Sequence, residues 1–132
     1  MNLYAKHLTE KLENKIDDEK QIADMEKQML EHLGYHVTAR TSSIEALELF
    51  RMKCDKFDLV ITDQTMSNMT GGELAENIIK IRPDIPIILC TGFSEVMSEQ
   101  KARAIGIRKY ITKPITYNKL ATTIRRALEP EF

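Results

Sequence analysis

An α/β protein with a doubly wound parallel sheet is what this sequence predicts, on three observations. Strand-like and helix-like stretches alternate from Ile22 onward. Phe57-Asp58-Leu59-Val60-Ile61-Thr62 and Ile85-Pro86-Ile87-Ile88-Leu89-Cys90 carry apolar runs without a polar alternation, as strands buried on both faces do. The strands end on polar residues: Asp63 after the first run, Thr91 after the second, and Lys113-Pro114 after Tyr110-Ile111-Thr112. In open parallel sheets the carboxyl ends of the strands hold the ligand, so Asp63, Thr91 and Lys113 are the candidate site.

Along the chain, residues 1–16 read as an atypical helical segment, with Leu8, Leu12 and Ile16 four apart and Glu10, Lys11, Glu13 and Lys15 on the other faces. Run on through Asp17-Asp18-Glu19, it would make one helix of about thirty residues, beyond the usual globular length. Ile22, Met25, Met29 and Leu33 keep helical spacing, and Gly34 supplies a stop. Tyr35 to Ala39 is a short strand. Ser42 with Glu45 forms a capping box opening a helix expected to bury Ile44, Leu47 and Phe50. After the Asp63 strand, Gly71-Gly72 precede a helix with Leu74, Ile78 and Ile81 on one face, closed by Pro83. A further helix ends near Ile105 before Gly106. The last carries Leu120, Ile124 and Leu128 at intervals of four, and 129–132 form a tail.

At 132 residues the chain is long enough to bury a substantial core as one domain. Its 42% apolar content and net charge of −1 supply no global field for nucleic acid or an anionic membrane, so direct nucleic-acid binding is not expected. No apolar stretch approaches the ~20 residues of a membrane span, and no signal-peptide core appears. Cys54 and Cys90 suit two free thiols in a reducing compartment, and the expected location is cytoplasmic.

The ordered set Asp17-Asp18, Asp63, Thr91 and Lys113 resembles the receiver domain of two-component response regulators over roughly residues 17 to 128. The resemblance implies a flavodoxin-like, receiver-like fold. It also implies a phosphorylation-controlled switch, with phosphoryl transfer from a histidine kinase to Asp63. Thr91 and Lys113 would contact the phosphoryl group, Tyr110 would move with Thr91, and Lys113-Pro114 would be a cis peptide. Mg²⁺ would be held by Asp17, Asp18, Asp63 and the Thr65 backbone carbonyl. The domain would not be an enzyme beyond self-catalysed phosphorylation and dephosphorylation. No segment resembles an output domain, so signalling is expected through protein contact or as part of a longer chain.

Three departures stand against this pattern. A receiver needs an apolar central strand before the acidic pair, but Leu12-Glu13-Asn14-Lys15-Ile16 would bury charge and amide without partners. The first strand is therefore expected to be degenerate or replaced by the N-terminal helix. Ser67 stands where Pro is usual and Gln64 where an apolar residue is common, which affects rates more than identity. Were the strand missing, the sheet would have an unpaired gap beside the Asp63 strand, and a homodimer through the N-terminal helix is expected to cover it. The alternative function is accordingly a receiver-derived interaction or oligomerisation module with a defunct metal site. A small flavodoxin-like enzyme has no nucleotide-cradling glycine loop to support it, and the three His, at 7, 32 and 36, lie away from the strand tips.

Overall fold

The computed structural model describes residues 2–6 through their backbone and residues 27–40, 42–64, 69–92, 99–112 and 115–129 in full. In chain order the elements are β1 (Asn2–Lys6), α1 (helical residues 27–32), β2 (His36–Arg40), α2 (Ser43–Lys53) with a 3₁₀ turn at Cys54–Lys56, β3 (Leu59–Asp63), α3 (Gly71–Ile81), β4 (Ile87–Thr91), α4 (Glu99–Ile105), β5 (Lys109–Thr112) and α5 (Tyr117–Leu128). The five strands form one all-parallel sheet in the order β2-β1-β3-β4-β5. The order reverses between β1 and β3, and a ligand crevice belongs at the carboxyl ends of those two strands.

The apolar runs are buried as expected. All five residues of β3 and all five of β4 are buried. Leu59, Ile61, Ile88, Cys90 and Ile111 pack with Leu30 of α1 and with Leu120, Ile124 and Ala127 of α5. Val60, Ile87 and Leu89 face the other way, onto Leu47 and Phe50 of α2, Leu74 and Ile78 of α3 and Ala102 of α4. Alternation along the strands thus sorts the helices into a layer of two and a layer of three.

The first strand corrects the sequence reading. The central slot holds Asn2–Lys6, so residues 2–6 are strand and not part of an N-terminal helix. Asn2 to Lys6 pair with His36 to Arg40, and Leu3 to Lys6 pair with Leu59 to Thr62. With a ladder on each side, β1 satisfies backbone groups of both neighbours, a gain that outweighs the weak propensity of five residues. The gap expected beside β3 does not exist. β1 ends eleven residues before Asp17. Leu8, Leu12, Ile16, Asp17 and Asp18 lie outside the described residues.

Helix ends follow local chemistry, while buried faces shift by one position. At the end of α1, Gly34 has φ +96°, with Tyr35 N–H donating to Leu30 O at 3.2 Å and Gly34 N–H to Glu31 O at 2.9 Å. Leu30 and Tyr35 pack in the same cluster, completing a Schellman stop. Leu30, at 2% exposure, is the anchor of α1, whereas Leu33 is half-buried. In α2 the Ser42 Oγ accepts from Glu45 N–H at 3.4 Å, one half of the capping box that the spacing predicted. Ile44 is 45% exposed, against expectation, because the face that meets the sheet is Ser43, Ala46, Leu47 and Phe50.

Candidate functional site

Asp63 ends β3 and is 4% exposed, which places a carboxylate at the switch point of the sheet. It stands in register with Cys90, so Thr91 lies one residue further along the adjacent strand. Thr91 in turn pairs with Thr112, the last residue of β5. Neighbouring strands lie about 4.8 Å apart, so the three tips span roughly 10 Å. Lys113 follows Thr112 directly, but Lys113, Pro114, Thr65 and Ser67 are outside the described residues, as are Asp17 and Asp18. Among the predicted site residues, the described structure places Asp63 and Thr91 at the tips of adjacent strands.

Thr91 is 1% exposed, and its Oγ1 has no hydrogen-bond partner among the described residues. Such a hydroxyl costs about 1–3 kcal/mol of desolvation, so it needs a reason to persist. A β4 side chain of that length could have been Val without such a cost. Tyr110 is half-buried in β5, in register with Leu89 and packed against the cluster of α2, α3 and α4. Since Leu89 and Thr91 are two residues apart, as are Tyr110 and Thr112, all four positions share one face of the sheet.

Beside Asp63, the first turn of α3 closes tightly, and sequence reasoning missed most of this. Gly71 is the first helical residue, and a Cβ there would sit 2.1 Å from the Asp63 carbonyl oxygen. Gly71 N–H donates to Gln64 O at 2.9 Å, and Gly72 N–H donates to the Gln64 side-chain Oε1 at 2.9 Å. Thr70 and Glu73 make a reciprocal capping box: Glu73 N–H donates to Thr70 Oγ1 at 3.1 Å and Thr70 N–H to Glu73 Oε1 at 3.0 Å. The Thr70-x-x-Glu73 spacing carried that signal in the sequence. These bonds pull the Glu73 carboxyl below its ordinary value, chiefly through the Thr70 backbone N–H.

A chemical consequence follows. A helix N-terminus beside a carboxylate would ordinarily be an anion site through its unused N–H groups. Here the first three N–H groups of α3 already have acceptors. This turn of α3 therefore offers no spare N–H among its first three to a ligand at the Asp63 tip. On the far side, Ser43, fully buried in α2, accepts from Met69 N–H at 3.1 Å and ties the end of the β3–α3 connection to the neighbouring helix. Among the described residues no three His, Cys, Asp or Glu side chains gather as a metal-binding group. Asp63 is the carboxylate that the described strand tips contribute, a hard oxygen donor of the kind Mg²⁺ takes.

Comparison with known proteins agrees with this fold. Residues 15–125 match the pattern of the response regulator receiver domain, a span that includes Asp17 and Asp18 and begins after β1. Over 118 residues the chain is 37% identical to the transcriptional regulatory protein YvrH of Bacillus subtilis, covering 89% of this chain and 48% of that protein. Over 117 residues it is 31% identical to the two-component response regulator ARR12 of Arabidopsis thaliana, covering 89% and 20%. The chain thus spans from a fifth to about half the length of these relatives. A receiver domain protein from Clostridium thermocellum superposes with a TM-score of 0.83 at 29% identity, over 96% of this chain and 93% of that one. A CheY-like receiver domain protein from Methanospirillum hungatei gives 0.80 at 27% identity, over 96% and 92%. With the sheet order, the strand-tip Asp and Thr, and a family match over most of its length, this chain belongs to the receiver domains of two-component response regulators.

Proposed function

We propose that the domain is a switch operated by phosphorylation of Asp63, with a histidine kinase as donor. The observation that carries this reading is the buried Thr91 hydroxyl without a partner, one strand away from a buried carboxylate. A phosphoryl oxygen on Asp63 would give that hydroxyl the acceptor it lacks. In the transfer, a carboxylate oxygen of Asp63 attacks phosphorus in line. The new O–P bond forms as the donor's P–N bond breaks, and the electron pair leaves with the imidazole nitrogen.

Lys113, next in sequence after the tip of β5, is assigned the positive charge on the equatorial oxygens. Mg²⁺, held by Asp17, Asp18, Asp63 and the Thr65 carbonyl, would supply further neutralisation of the same oxygens. Tyr110 shares a sheet face with Thr91, which supports a switch in which the two respond together. The protein accepts the group without turning over a substrate, at most catalysing its own phosphorylation and dephosphorylation. Cys54 and Cys90 form no disulfide, which supports a reducing, cytoplasmic setting, and no helix among the described residues is long and apolar enough to cross a membrane. The homodimer expected through an N-terminal helix rested on a gap beside β3. β1 fills that gap, so the dimer is not carried into this proposal. The alternative of an interaction module with a defunct metal site is not favoured by the family match.

Incubation with acetyl phosphate and Mg²⁺ tests the reading. The wild type is expected to gain one hydroxylamine-labile phosphoryl group, with EDTA suppressing it and Asp63→Asn abolishing it. Undiminished labelling of the Asn variant, or none of the wild type, would overturn it.

A further inference from the structure

We infer that Gln64 is a positioning residue for the acceptor, an inference that rests on Asp63 being phosphorylated. Gln64 is only 8% exposed, although its side chain is long, polar and rich in rotamers. An apolar residue would fill the same space without desolvating an amide. What the amide does instead is specific. Its Oε1 accepts from Gly72 N–H at 2.9 Å, while its backbone O accepts from Gly71 N–H and its backbone N–H donates to Cys90 O, both at 2.9 Å.

Three bonds from one residue therefore join three elements, β3, β4 and the first turn of α3, at the peptide next to Asp63. Gly71 brings the helix against the Asp63 carbonyl, and Gln64 holds it there. Without the side-chain bond, Gly72 N–H would be a buried donor lacking its acceptor, and α3 would shift to rehydrate it. Because the helix touches the acceptor's own carbonyl, that shift would displace the Asp63 carboxylate. In-line attack tolerates little misplacement: about 1 Å can cost a hundredfold in rate.

The test is phosphorylation of Gln64→Met by acetyl phosphate, in which an Asp63 O–P bond forms and acetate departs with the electron pair of the broken bond. Met fills the volume but offers no comparable acceptor. The expected result is a maximal rate reduced about tenfold, with half-saturating acetyl phosphate unchanged, on the scale set by misplacement of a reacting group. Gly72 amide exchange should quicken in the same variant. Leu30→Ala, a core variant on the other face of the sheet, should lose stability without this rate loss. Gln64→Asn, too short to reach Gly72 N–H, covers the case in which Met does not fold and should show the same defect. If the wild type is labelled but both Gln64 variants react at its maximal rate, the positioning role is wrong while the phosphorylation reading stands. If the wild type itself takes no label, the phosphorylation reading is what fails.

Discussion

Gly71→Ala offers the sharpest check on the architecture around Asp63. The added Cβ would lie 2.1 Å from the Asp63 carbonyl oxygen, 2.8 Å from its carbonyl carbon and 2.9 Å from Leu89 Cδ1. Comfortable non-bonded separation begins near 3.5 Å, so α3 or the β3 tip must move by about 1 Å. The leucine methyl can rotate away, but the peptide of Asp63 cannot, being paired through Gln64 N–H to Cys90 O. Overpacking of this kind costs about 1–3 kcal/mol. Stretching the two bonds from Gly71 and Gly72 N–H to Gln64 adds about 1–2 kcal/mol. Ala is the better helix former by about 1 kcal/mol, which offsets part of this. The expected net loss is about 3 kcal/mol, a fall in Tm of roughly 10 °C for a domain of this size. Urea denaturation followed by far-UV circular dichroism measures it. A variant as stable as wild type, or stabilised by the intrinsic preference of helices for Ala, would refute the close approach of α3 to β3.

Other outcomes follow from the same neighbourhood. Thr91→Val removes a buried hydroxyl that has no partner, so the unphosphorylated domain should gain about 1 kcal/mol while its conformational response to phosphorylation or beryllofluoride weakens; a loss of stability in denaturant would show that the hydroxyl is already satisfied. Thr70→Ala deletes the N-cap of α3 and should cost about 1 kcal/mol, read from the same denaturation curves. Glu73 has its carboxyl held below the ordinary value, so its contribution is present above that value and lost as pH falls through the lowered one. Glu73→Gln should flatten this acid limb of the stability profile, and an unchanged limb would assign the pH dependence elsewhere.

Much of the fold was legible in the sequence because the signals are local. A parallel strand covered on both faces must be apolar at consecutive positions, so Leu59–Ile61 and Ile87–Leu89 declared themselves, and the polar residue that ends each run marked the candidate site. Gly34 and Gly106 announced helix ends because φ values of +96° and +112° exclude most other residues. Asp63 and Thr91 were therefore identifiable before any packing was known. The central strand was not. Asn2–Lys6 carries three apolar-bodied residues between polar ends, too short a signal to stand out, and its strand conformation is stabilised by two partners at sequence distances of 34 and 56 residues.

What the sequence alone determined is the class of sheet, the order of its elements after the first strand and the acidic residue that ends β3, since each depends on residues within one strand or one helical turn. Only the tertiary structure decided that β1 fills the slot beside β3, that Leu30 and not Leu33 anchors α1, that Ile44 faces outward, and that Gly71 and Gln64 draw the first turn of α3 against the tip of β3. These depend on how near two segments come once the layers are packed. A Cβ that meets nothing at Gly34 and overlaps a carbonyl at Gly71 belongs to the same residue type, and the difference is made by a strand eight residues away.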